Sequence, residues 1–226
     1  MNFHRFIVII NYFYGVDALI FNGNRIGWSV KDVEQLKAGD IDVISIRDLD
    51  KFDISLECAN ISLFDRNIDL ACCAYDKEVL SVIPNSLRDS NDLNADILSM
   101  ISIMKSIAEK NDKITCRFHA FQNIKCPKWH EDNVKYRLLK TYIGPGTEWV
   151  DPSDYMIRMK NFLLSSSDKD LQVNNIDKIQ YSQTGDTLII RGKQAASLNK
   201  SPVLHRSPVI NNNNNKMRLL LTISIA

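Results

Sequence analysis

The sequence predicts a mainly β chain of the α+β class whose C-terminal half closes into a barrel or jelly roll. From residue 114 onward, short alternating runs rich in β-branched residues replace helical stripes. Turn-forming segments separate those runs at Gly144-Pro145-Gly146, Thr184-Gly185-Asp186, Arg191-Gly192 and the asparagine run 211–215. The strongest helix signal lies upstream of them all, within residues 91–110.

Residues 1–30 mix aromatic and β-branched residues with Asn and Gly and read as short strands or irregular chain. Ser29 caps a predicted short helix over 30–38, stopped by Gly39-Asp40. Residues 41–46 follow as a strand, but adjacent Val43 and Ile44 break the alternation and leave its buried face open. In the 91–110 helix, Asp92 or Asn94 serves as cap, and Ile97, Met100, Ile101, Met104 and Ile107 recur at spacings of three and four. That stripe should pack on the outside of the following sheet. Strands are predicted over 137–143, 187–190, 202–209 and 218–225. The polar stretch 151–183, with a short helix near 155–164, reads as a lid that selects substrate. The chain thus divides into an N-terminal elaboration, 1–113, buttressing a core over 114–226.

Composition removes several function classes. Of 226 residues, 45% are apolar and 24% charged, as in an ordinary globular protein. With 28 basic and 27 acidic side chains the net charge is +1, which argues against nucleic acid or an anionic membrane as the main partner. Five cysteines, an odd number without a CxxC pair, fit a reducing cytoplasm rather than a disulfide framework. Residues 6–10 are apolar after His4-Arg5, but Asn11, Asp17 and Asn22 interrupt them and no cleavage pattern follows, so no signal peptide is expected. No run reaches the roughly 20 apolar residues of a membrane helix.

The chemistry concentrates in three places. Trp129-His130-Glu131-Asp132 contains His-x-Asp, and positions i and i+2 of a strand share a face. His130 and Asp132 can therefore reach one metal, with Glu131 pointing away. An imidazole and a carboxylate make two-thirds of the facial triad of non-haem iron sites. Val203-Leu204-His205-Arg206-Ser207-Pro208 places a histidine on a late strand as a third ligand. Arg218 opens the last strand, where Arg218, Leu220, Thr222 and Ser224 share one face and Met217, Leu219, Leu221 and Ile223 the other. An inward guanidinium can hold a carboxylate through two parallel hydrogen bonds.

His-x-Asp, a Gly-Asp strand, a late His and then Arg on the last strand resemble the 2-oxoglutarate/Fe(II) oxygenase superfamily. More narrowly, Lys128 to Asp132, the segment 137–149 and His205-Arg206-Ser207-Pro208 resemble the bacterial family known as domain of unknown function 1826. The resemblance implies a double-stranded β-helix, jelly-roll or cupin-like, over 114–226. It also implies that His130, Asp132 and His205 are catalytic and bind Fe(II), and that Arg218 binds 2-oxoglutarate as cosubstrate. Leu220 stands where many superfamily members carry a hydroxyl two residues after the arginine. Tyr142, Thr141 or Tyr136 would then make the second cosubstrate contact. The implied activity is that of a hydroxylase-type dioxygenase on a small molecule or a protein. The alternatives are a cupin-like metal protein without 2-oxoglutarate chemistry, and a non-catalytic structural or sensor relative. A rival metal reading joins Cys116, His119, Cys126 and His130 into a structural zinc site. Oligomeric state does not follow from the sequence.

Overall fold

A period of two along the C-terminal strands decides which residues meet the core and which meet the site. The computed structural model describes residues 30–46, 64–70, 78, 80–122, 126–150, 155–159, 169–173, 176–196, 202–208 and 217–226. The expectations for residues 1–29, including the Ser29 cap, and for 211–215 lie outside the described residues.

Helix α1 (Val30–Ala38) leads into strand β1 (Val43–Ile46). Strand β2 (Phe64–Leu70) and helix α2 (Asn91–Ile107) follow. The remaining strands are β3 (Ile114–Phe121), β4 (Tyr136–Ile143), β5 (Glu148–Val150), β6 (Tyr155–Met159) and β7 (Lys169–Val173). They are completed by β8 (Gln180–Tyr181), β9 (Thr187–Arg191), β10 (Leu204–Arg206) and β11 (Arg218–Ile225).

The six-stranded sheet runs β1-β9-β4-β11-β3-β2, and a three-stranded sheet runs β10-β5-β8. Every pairing within them is antiparallel. From β3 the chain crosses to a single bridge at His130 beside β10, then returns to β4 in the large sheet. It crosses again to β5 and β8, back to β9, over to β10, and finally back to β11. This repeated exchange between two facing sheets is the winding of a double-stranded β-helix, or jelly roll. Residues before 114 contribute β1 and β2 to the two edges of the same large sheet and α2 to its outer face.

The outer face of β11 presents Leu219, Leu221, Ile223 and Ile225. These pack with Ile114, Cys116, Phe118 and Ala120 of β3 against Ile97, Met100, Ile101, Met104 and Ile107 of α2. The predicted stripe is therefore the one that is buried. The cap differs: Ser90, not Asp92 or Asn94, accepts from the Leu93 N–H at 3.3 Å. A hydroxyl outside the first turn reaches that orphan amide, which residues already inside the helix cannot do. On the inner face Phe121, Leu139, Leu188, Ile190 and Leu220 form a smaller cluster with Val203, and Trp149 packs against it. The fully buried Arg191 ties the α1–β1 corner to β9 by pairing with Asp42 and donating to the Leu36 carbonyl at 3.0 Å.

Three expectations are corrected. Residues 155–159 form a strand, β6, paired with β7, rather than a helix; 160–164 lie outside the described residues. The run Tyr155-Met156-Ile157 fits a pleated strand once a partner is available. Within the described residues 202–208 the predicted strand is confined to β10, flanked by Pro202 and Pro208, which lack the N–H a ladder needs; residue 209 lies outside the described residues. The zinc arrangement also fails. Cys116 and His119 are three apart on β3 and so face opposite sides of the sheet. Cys116 lies in the α2 core, where burial pushes its thiol up to about 12, while Cys126 is exposed. Among the described residues, no helix is long and apolar enough to cross a membrane.

Ile97 is fully buried between α2 and the large sheet. Ile97→Ala is expected to lower unfolding stability by about 2–4 kcal/mol through lost burial and a residual cavity. Urea denaturation reads this, and a change below about 1 kcal/mol would contradict the packing described.

Candidate metal centre

His130 and His205 are set opposite each other by the backbone. Each donates its amide N–H to the other's carbonyl at 3.0 Å, forming an isolated β-bridge outside the named strands. Directly paired residues share a face, and here the two ring centroids lie 4.4 Å apart. Asp132 follows His130 by two and comes to the same place. The segment carrying it is pinned by the loop after β9. Gly192 N–H donates to the Lys135 carbonyl at 2.8 Å, Lys193 N–H to that of Asp132 at 2.8 Å, and Gln194 N–H to that of Val134 at 3.0 Å. A Cβ at Gly192 would lie 2.2 Å from the Val134 carbonyl oxygen, so only glycine admits this approach. Glu131 pairs instead with Lys193, at 3.3 Å.

One donor atom from each of His130, Asp132 and His205 lies within 4.8 Å of the others. His205 Nε2 is 3.1 Å from Asp132 Oδ2, and His130 Nε2 is 3.9 Å from Asp132 Oδ1. His130 Nδ1 sits 2.9 Å from the Lys128 carbonyl, and His205 Nδ1 sits 3.3 Å from that of Val203. Each carbonyl can accept only from a protonated Nδ1, which leaves both Nε2 lone pairs for a metal. Arg137 Nε lies 3.0 Å from Asp132 Oδ2. Neither it nor His205 is aligned for a hydrogen bond to that oxygen, which is buried and keeps a lone pair. Two imidazoles and one carboxylate with converging donors are the donor set of the non-haem Fe(II) facial triad, so these residues fit such an ion.

Charge is tuned accordingly. Burial alone would raise the Asp132 carboxyl, but His205 at close range, then Arg137 and His130, more than offset it and hold it at about 2. Burial lowers His130 below its ordinary value, and the neighbouring His205 lowers it further. At neutral pH the site thus offers an ionised carboxylate and a neutral His130 imidazole, the forms that ligate metal.

Arg218 is 2% exposed and faces the same interior. Its terminal nitrogens donate to Ser207 Oγ at 3.0 Å, Thr147 Oγ1 at 2.9 Å and Thr141 Oγ1 at 3.2 Å. Nε is buried and, among the described residues, has no hydrogen-bond partner, and no carboxylate there lies at ion-pair distance from this guanidinium. Burial lowers this guanidinium to about 10, so it remains a cation at neutral pH. Ser207 lies two residues after His205 and links Arg218 to the segment that carries this candidate ligand.

Of the three candidates for a second cosubstrate contact, Thr141 is brought to Arg218. Tyr142 is not: its hydroxyl donates to Asp96 of α2 at 2.6 Å and its ring packs on Phe118 in the outer core. Tyr136 also lies in that core. Alternation along β4 turns residue 141 inward and 142 outward, which a period of two could have foretold. Thr147 and Ser207 were missed, although both lie in the segments that carry the family resemblance. Ser207 could have been found from its i, i+2 relation to His205; Thr147 sits in a loop and carries no such signal.

The family model described as "Protein of unknown function (DUF1826)" matches residues 55–224, and the chain belongs to this family. No curated protein matches significantly. Among solved structures, IDO from Bacillus thuringiensis is similar at a TM-score of 0.48 and 10% identity, over 87% of this chain and 97% of that one. The Fe(II)/α-ketoglutarate-dependent dioxygenase TqaL is similar at a TM-score of 0.44 and 11% identity, over 86% of each chain. A Pseudomonas putida prolyl-4-hydroxylase is similar at 0.37 and 8%, over 85% of this chain and 95% of that one. At these values function must be read from the residues themselves.

Asp132→Ala is expected to weaken Fe(II) binding about hundredfold or more, since a methyl replaces the anionic donor; anaerobic calorimetry at unchanged affinity would remove Asp132 from the ligand set. Fe(II) affinity should be level above about pH 7 and fall as pH drops below the ordinary histidine value of about 6.5. The sign follows from His130, whose neutral form the fold favours, so proton competition is felt only below that value. Constant affinity down to pH 5 would contradict histidine ligation. Gly192→Ala should cost about 1–3 kcal/mol of stability and weaken metal binding, because the added methyl pushes the Asp132 segment outward. Thermal melts with and without metal test both effects.

Proposed function

We propose that this chain is an Fe(II)/2-oxoglutarate-dependent oxygenase of the hydroxylase type. The observation that carries the reading is a buried cation, Arg218, without a counter-ion among the described residues, bonded to Ser207 two residues from a member of a His₂-carboxylate triad. Burying an unpaired charge costs several kcal/mol, so such a residue persists where an anion arrives to meet it. A dicarboxylate with a 2-oxo group suits both halves of the site. Its distal carboxylate would take parallel N–H donors from Arg218, with the hydroxyls of Thr141, Thr147 and Ser207 as further donors. Its oxo-acid end would turn to the metal.

Fe(II) held there would supply the redox chemistry that couples oxidative decarboxylation of 2-oxoglutarate to oxidation of a substrate C–H bond. The chain's own contribution is positional. His130 and His205 present Nε2 because their Nδ1 atoms are committed to backbone carbonyls. The apolar cluster of Phe121, Leu139, Leu188 and Leu220 would wall one side of the interior and limit its contact with water. A cupin-like metal protein without a cosubstrate would share the triad but would leave the cost of burying Arg218 without an offset.

Arg218→Ala is the direct test, with 2-oxoglutarate affinity and metal affinity measured separately by calorimetry. The reading expects 2-oxoglutarate to bind about tenfold or more weakly with Fe(II) affinity nearly unchanged, and Arg218→Lys to recover only part of the loss. Equal 2-oxoglutarate affinity in wild type and Arg218→Ala would sink the anchor assignment.

A further inference from the structure

We propose that Arg137 is a substrate-binding residue, and that the substrate presents to it an anionic group, carboxylate or phosphoryl, beside the metal. The inference rests on the oxygenase reading and names the substrate class for that same site.

Arg137 and Thr141 lie on the same inner face of β4, paired with Ser224 and Leu220 of β11. Four residues of strand separate them by about 13 Å. Thr141 touches Arg218, whereas Arg137 touches Asp132. Arg218 thus meets this strand face at the Thr141 end, and Arg137, at the other end, meets the triad through Asp132. One end is assigned to the cosubstrate, which leaves the other to whatever is oxidised.

Arg137 is poorly satisfied where it stands. Asp132 is its one ion-pair partner among the described residues, and the buried Nε makes no aligned hydrogen bond even there. Its side chain is 27% exposed, so the guanidinium is partly open rather than sealed into the core. A metal ion at the triad would take over the charge of Asp132 and weaken its hold on Arg137. With Fe(II), 2-oxoglutarate, Asp132 and both arginines in place, one positive charge is left uncompensated, at the Arg137 end. Among the described residues, Glu131 is paired with Lys193, and His130 and His205 are the histidines of the candidate triad. A planar fork of N–H donors beside a reacting centre recognises a carboxylate or phosphoryl oxygen pair. Such a contact also fixes the orientation of the substrate relative to the metal. The competing role is structural, in which Arg137 serves only to hold Asp132.

The full-length protein can be loaded with Co(II) in place of Fe(II) and saturated with 2-oxoglutarate, which removes turnover from the experiment. Trifluoroacetate and monofluorophosphate are then titrated separately, and the ¹⁹F relaxation rate reads how near each anion comes to the paramagnetic ion. The proposal expects saturable relaxation enhancement for at least one of the two. Apparent affinity should fall about tenfold or more in Arg137→Gln and recover in part in Arg137→Lys. The anion that binds more tightly assigns the substrate group as carboxylate or phosphoryl. Enhancement unchanged in Arg137→Gln would place the anion on the metal or at Arg218 and overturn the proposal. Absence of saturable enhancement in the wild type would overturn it as well. So would loss of Co(II) affinity in both variants, which would leave Arg137 only the task of holding Asp132. The Co(II) visible spectrum, recorded before any fluorinated anion is added, separates these from a deeper failure: if Co(II) or 2-oxoglutarate does not bind wild type, the oxygenase reading falls and this proposal with it.

Discussion

Strand β11 is hydrogen-bonded on both sides, to β3 and to β4, and its period of two divides the molecule. Its outward leucines and isoleucines carry the contact with α2, while its inward residues begin with the buried Arg218. The two functions cannot be shifted independently. A slip of one residue would send Arg218 into the α2 core and the apolar set into the site. Pairing on both edges is what makes such a slip costly, so the position of the guanidinium is a consequence of the whole sheet.

The small sheet adds what the large one cannot. His205 on β10 lies opposite His130, and the Gly192 loop holds the Asp132 segment, so the three donors come from elements fixed by separate backbone contacts. The site is thus preorganised by main-chain hydrogen bonds rather than by its own ion pairs. The charges of the site are met differently: Asp132 is stabilised by His205 and Arg137, while the partners of Arg218 among the described residues are hydroxyls.

The architecture was largely readable in the sequence because alternation and helical stripes report burial directly. The α2 stripe and the bounds of β4, β9 and β11 follow from it to within a residue or so. The small sheet was harder: its strands are two or three residues long, and so short a run carries no period. The same limit explains the helix expected where β6 lies. His130, Asp132, His205 and Arg218 were readable as a pattern; the structure groups the first three and joins Arg218 to Ser207, two residues after His205. The hydroxyls around Arg218 were not, since Thr147 arrives from a loop and Tyr142 offered a more familiar donor on the wrong side of β4. Arg137 gave no signal until its contact with Asp132 was seen.

The central claim is that the triad and Arg218 together hold one metal and one 2-oxo acid. Anaerobic addition of Fe(II) and then 2-oxoglutarate to the purified protein, followed by visible absorption, tests it most directly. The account predicts a metal-to-ligand charge-transfer band that appears only when both are present. Fe(II) binding without that band on adding 2-oxoglutarate would contradict it and leave a metal protein of another chemistry.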